Sequence, residues 1–80
     1  MNEETKDQIT YLKQQLECSR EQARLLEAIE RTLIKMRELA EASLDSGLSK
    51  MDRAILSDQF EQLKEELIEL QRKAAPDILH

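Results

Sequence analysis

Few side chains in this sequence could do chemistry, and their positions limit what that chemistry could be. His80 is the only histidine and the last residue. Neither a histidine-based relay nor a multi-histidine metal site can therefore be built within one chain. Cys18 is the only cysteine. It can form no internal disulfide, and it reads as a small semi-buried helix residue or as a crosslink between two copies. Carboxylates are abundant, 17 Asp and Glu against 12 Lys and Arg, but helical spacing spreads them over solvated faces rather than pairing two of them for acid–base work. A single glycine leaves no loop to cradle a phosphate. Of the three methionines, Met36 and Met51 flank the one turn and are expected to pack together. The expectation is a chain that is not an enzyme and holds no cofactor and no metal.

Charge and length narrow the partners. The net charge of -5 is interspersed, with no basic run. Phosphate backbones and anionic lipid surfaces both select clustered Lys and Arg, so no nucleic acid partner is expected. No apolar stretch approaches the ~20 residues of a spanning helix, so membrane insertion is not expected either. The opening residues Met1 to Asp7 are polar and acidic and do not read as a cleavable signal peptide.

The elements that carry these residues are helices. Charged residues make up 36% of the chain, with one Pro and two aromatics, Tyr11 and Phe60, a composition suited to long amphipathic helices rather than to a sheet. Residues 1–4 are expected to be flexible. Thr5 with Gln8 fits a capping box, so a first helix is predicted over about 5–44. In its second half Leu25, Leu26, Ile29, Leu33, Met36, Leu39 and Ala40 form a broad apolar stripe that should face a core. In its first half Ile9, Leu12 and Leu16 mark a narrower one. Gly47 and Ser49 lie in a turn over 45–49. The glycine is suited to a left-handed helix end, and the serine, with Asp52 three residues on, is suited to start the next helix.

The second helix is predicted over about 50–75. Leu56, Phe60, Leu63, Leu67, Leu70 and Ala74 alternate at steps of 4 and 3, the period-3.5 seam of supercoiled packing. Pro76 should stop the helix and leave 76–80 as a loose tail. The fold class is all-α: a coiled-coil-like antiparallel two-helix hairpin, residues 5–75, as a single domain. The first helix outruns the second by roughly a third of its length, and its stripe is wider than one neighbour covers. Completion to a helical bundle by self-association (a homodimer) or by another helical protein is expected, and Ile9, Leu12 and Leu16 are the residues expected to seek that partner.

Leu33-Ile34-Lys35-Met36-Arg37-Glu38-Leu39-Ala40, the Gly47 turn, Asp52-Arg53 and then Gln59-Phe60-Glu61-Gln62-Leu63-Lys64-Glu65-Glu66-Leu67 together resemble bacterial flagellin. The similar part is the N-terminal helical region of the flagellin core domain. There a motif similar to L-x-R-M-R-E-L-A precedes a Gly- and Ser-containing turn and a helix with D-R and E-x-x-Q-L-x-x-E-I. The resemblance spans about 45 residues, Leu25 to Leu70. It implies a structural or interaction role in flagellum-related assembly, with a flagellar component or chaperone as partner. It also implies a location in the bacterial cytoplasm or, after export, at the flagellum. Positions matching a surface that innate immune receptors recognise in some flagellins are Lys35, Leu39 and Gln59. An alternative is a small regulatory hairpin adaptor. Ser57-Asp58-Gln59-Phe60-Glu61 is similar to the S-Q-E-L-D-like motif of the small helical phosphatases that act on sporulation response regulators, which would turn Gln59 and Glu61 toward a phospho-aspartate.

Overall fold

A computed structural model describes residues 2–74, and these form two helices, α1 (Glu3–Ala42) and α2 (Lys50–Ala74). The expectations placed on Pro76 and the tail 76–80 lie outside the described residues. The two helices pack antiparallel as an all-α hairpin, with no strand among the described residues.

α1 begins earlier than its capping box suggested. Asn2, not Thr5, is the cap: its backbone is extended and its Oδ1 accepts from the Thr5 N–H at 2.8 Å. Glu3 and Glu4 then sit in the first turn, where the positive helix end favours them. At 40 residues α1 is about 60 Å long, against about 38 Å for the 25 residues of α2.

The contact between them is a single seam. Facing α2, the half-buried side chains of α1 and its cap are Leu25, Ile29, Met36, Leu39 and Ser43, with Ala28 beside them; Thr32, in the middle of the row, is the one buried residue among the described residues. Their steps, counting Thr32, are 4, 3, 4, 3, 4. On α2 the half-buried set is Leu56, Phe60, Leu63, Leu67, Leu70 and Ala74, with the same alternation. Two helices meeting with one period-3.5 row each is the geometry of a two-stranded coiled coil.

Such a pair cannot enclose a core. No hydrophobic side chain among the described residues is fully buried. The accessible surface is 6769 Å², where a compact chain of this mass would expose about 5,000 Å². The radius of gyration is 20.1 Å and the extents are 71 × 22 × 15 Å, against a radius of about 12 Å for a globular chain of equal length.

The turn is held by polar groups. α1 ends right-handed at Ser43, and the N–H groups of Leu44 and Asp45 reach back three residues to the Glu41 and Ala42 carbonyls. This tightened last turn replaces the left-handed glycine cap expected from Gly47, which has no positive φ. Gly47 instead sits inside a β-turn closed by Leu48 N–H to Asp45 O, where its N–H also donates to Asp45 Oδ1 at 2.9 Å. A β-carbon at Gly47 would stand 3.3 Å from that oxygen, a contact that a small shift of the Asp45 carboxylate relieves, so neither backbone handedness nor space demands glycine here.

Ser49 opens α2. Its Oγ accepts from the Asp52 N–H at 3.0 Å, and its own N–H donates to Asp52 Oδ2 at 3.4 Å, the reciprocal pair that a serine and an acid three apart can make. Met51 is 74% exposed while Met36 lies half-buried in the seam, so the packing of the two expected from the sequence does not form.

Candidate helix-docking surface

The side chains left over by the seam define the candidate site. Leu26, Leu33 and Ala40 each follow a seam residue by one position, which places them about 100° round α1 from α2. They are exposed, Leu26 at 55% and Leu33 at 48%. Leu44, at the start of the turn, is exposed as well. Going toward the N-terminus the same 3- and 4-residue steps lead through Ala23, Leu16 and Leu12 to Ile9, of which only Ile9 is half-buried. α1 therefore carries two rows. The inner one faces α2 and runs from Leu25 onward. The outer one runs the whole length of the helix and, except at Ile9, is left exposed by the described residues.

The inner row does not continue upstream. Its next positions, Gln22, Cys18, Gln15, Tyr11 and Gln8, are all exposed, and three of them are glutamines. The segment from Glu3 to Arg24 projects beyond α2 with one apolar face, formed by the outer row. An isolated helix of this length is marginal in water unless that face is covered. Two surface ion pairs, Glu17–Arg20 and Glu21–Arg24 at 3.5 and 3.4 Å, lie along it. Exposed pairs at this spacing contribute about 0.2–0.5 kcal/mol each, too little to hold it.

Most of the residues expected to pack at the helix interface lie in the seam: Leu25, Ile29, Met36 and Leu39 with Leu56, Phe60, Leu63, Leu67 and Leu70. Leu26, Leu33 and Ala40 lie on the outer row with Leu12 and Leu16. Ile34 and Ile55, each about half exposed, belong to neither row.

Thr32 was not anticipated as an interface residue. Its hydroxyl donates to the Ala28 carbonyl at 2.8 Å, which removes the cost of burying it. Counting 4, 3, 4, 3, 4 backward from Ser43 would have found it, although its residue type argues against a core position.

Arg53 was likewise not singled out for a role. Its guanidinium donates to the Ser43 and Asp45 carbonyls, both at 2.9 Å. The last turn of α1 has no basic residue of its own, so Arg53 supplies from α2 the positive charge that a helix C-terminus favours. Arg53 thus fastens the start of α2 to the end of α1, beside the Ser49–Asp52 pair that caps α2 itself.

As for chemistry, Gln59 and Glu61 are exposed, side by side with the half-buried Phe60. No group of three or more His, Cys, Asp or Glu among the described residues is arranged to hold a metal ion. A shallow groove between the helices near the turn is lined by Leu39, Ala40, Ser43, Ser57 and Phe60, with no charged side chain in it. What the surface offers is apolar contact along a helix, framed by paired charges. No helix among the described residues is long and apolar enough to cross a membrane. Compared with known proteins, the chain matches no family model, no curated protein and no solved structure.

Proposed function

We propose that this chain is a non-enzymatic interaction protein, a flagellin-like helical hairpin that contributes helices to a larger assembly. It completes its bundle by associating with itself or with a helical protein of the flagellum. The observation that carries this reading is the mismatch between apolar content and burial. Ten large hydrophobic side chains are exposed among the described residues, and none is buried. The chain exposes roughly 1,800 Å² more surface than a compact monomer of its mass, above the ~800 Å² per partner of a standard protein interface.

The resemblance of Leu33–Ala40 and Gln59–Leu67 to flagellin supports a flagellar setting, because a chain built like part of that core can pack on the same kind of helix. Cytoplasmic residence before assembly, or export to the flagellum, follows from that setting.

The test is titration of fluorescently labelled protein with purified flagellin monomer and with a flagellin export chaperone, read by anisotropy, beside a self-association series. Saturable binding that is lost in Leu26→Glu and Leu33→Glu is expected. A stable, cooperatively unfolding monomer that binds none of them would overturn the reading.

A further inference from the structure

The two halves of α1 are matched in length and in period. The part beyond α2, Glu3 to Arg24, is about 33 Å long, and the part paired with α2, Leu25 to Ala42, is about 27 Å. Both carry the outer row in one unbroken alternation of 4 and 3, so a helix that fits one half also fits the other. The outer row stands about 100° from the inner one, close to the right angle between the two neighbours of a helix at the corner of a bundle.

We propose that the occupant of the outer row is a second copy of this chain, lying antiparallel so that the projecting half of each α1 covers the hairpin half of the other. This deepens the interaction reading above and rests on it.

Antiparallel period-3.5 rows interlock only at offsets of whole heptads. Two of these overlap the two α1 helices over nearly their full length, and the side chains favour the one that centres the two-fold axis between Arg24 and Leu25. It sets Leu16 against Leu33 of the other copy, Ile9 against Ala40 and Ala23 against Leu26. The row's only charged members, Glu30 and Arg37, then face Ser19 and Leu12, so no like charges meet, and the one charge set against a leucine is Arg37, whose long stem can carry its head out to water. Shifting by one heptad toward the N-terminus puts Leu12 on the shorter Glu30 and leaves fewer apolar layers. Shifting the other way puts Leu26 on Glu30. A parallel pair would set Glu30 on Glu30 and Arg37 on Arg37, which is unfavourable. The whole chain's surplus surface exceeds what one partner of a standard interface buries, and half of the exposed large hydrophobics, Leu12, Leu16, Leu26, Leu33 and Leu44, follow the outer row that α2 leaves open.

The test uses the full chain under reducing conditions, with mass measured by light scattering over a concentration series. A dimer of twice the 9.3 kDa chain mass is expected. Leu16→Glu and Leu33→Lys, both at positions exposed in the single chain, are each expected to weaken it roughly 100-fold or more, because two-fold symmetry applies every substitution twice. Combining the two substitutions sets an acid on one copy opposite a base on the other, at both ends of the interface. The double variant is expected to recover most of the dimer, even if each single variant also loses helicity.

A nitroxide on the exposed Cys18 adds a distance. The antiparallel register separates the two labels by about 20–30 Å, whereas a parallel pair would bring them within roughly 15 Å. A double variant no more dimeric than its parents, or the short distance, would overturn the arrangement. A monomer that still binds flagellin through Leu26 and Leu33 would overturn the self-pairing alone and leave the interaction reading standing. A monomer that binds nothing would remove both.

Discussion

Replacing Arg53 with alanine should loosen the hairpin at its turn. The guanidinium makes two hydrogen bonds of 2.9 Å, to the carbonyls of Ser43 and Asp45; Ser43 is the cap of a helix with no basic residue in its last turn, and Asp45 lies in the turn that follows. Charge-assisted bonds reach about 1.5–3 kcal/mol when shielded. Arg53 is exposed, so each bond competes with water and about 0.5–1 kcal/mol apiece is the appropriate figure. The interaction with the helix end is already contained in those bonds and is not added again. The expected loss is therefore about 1–2 kcal/mol, or roughly 5–12 °C in Tm for a domain of this size.

Lysine at the same site keeps the charge but cannot fork onto two carbonyls, so Arg53→Lys should recover about half of the loss. The assay is urea unfolding followed by circular dichroism at a fixed protein concentration, since any association would shift the midpoint. An alanine variant within about 0.3 kcal/mol of the parent, or a lysine variant equal to the parent, would refute the idea that the fork fastens the turn.

Three further substitutions probe the same framework by the same unfolding assay. Thr32→Val should stabilise the hairpin by about 0.5–1 kcal/mol: the Ala28 carbonyl keeps its helical bond, and a buried hydroxyl becomes a methyl. A loss of stability instead would mean the hydroxyl is not held within its own helix. Ser49→Ala should cost about 1 kcal/mol as the lost cap of α2, whereas Asn2→Ala at the far end of the projecting segment should change the midpoint by less than about 0.5 kcal/mol in dilute protein. Equal effects would show that the projection unfolds together with the hairpin even in the monomer. Gly47→Ala should stay within about 0.5 kcal/mol, because φ is not positive and only the Asp45 carboxylate must shift. A loss above about 1.5 kcal/mol would point to a left-handed glycine after all.

The parts of this fold that could be read from the sequence are those where one physical rule acts alone. The row from Leu56 to Ala74 is apolar at every step, so its period of 3.5 identified the packing face of α2 directly. α1 was harder because it carries two rows side by side. Leu25 with Leu26, and Leu39 with Ala40, merge into one wide stripe, and the residue that would have separated them, Thr32, is polar. Its burial depends on a bond to its own helix, which composition does not reveal.

At the start of α1, Asn2 and Thr5 are both capable caps. The outcome depended on which gave the longer helix with Glu3 and Glu4 at its positive end. At the turn, the glycine suggested a backbone solution, but the chain uses side chains instead: Asp45 for the β-turn, and Arg53 from the other helix for the carbonyls. Such cross-element bonds leave no local pattern. The outer row was visible as apolar spacing, but its separation from the seam required knowing which side of α1 the second helix takes.

Amide hydrogen exchange along α1, followed as the protein is diluted, most directly tests whether the outer row is a docking face. Residues 25–42 pack their seam side on α2 within one chain, whereas 9–23 have no cover among the described residues. At high concentration we expect 9–23 to be protected nearly as well as 25–42, and to lose that protection on dilution with a midpoint matching the loss of dimer mass. Exchange of 9–23 near the free-peptide rate at every concentration, beside a protected 25–42, would contradict it.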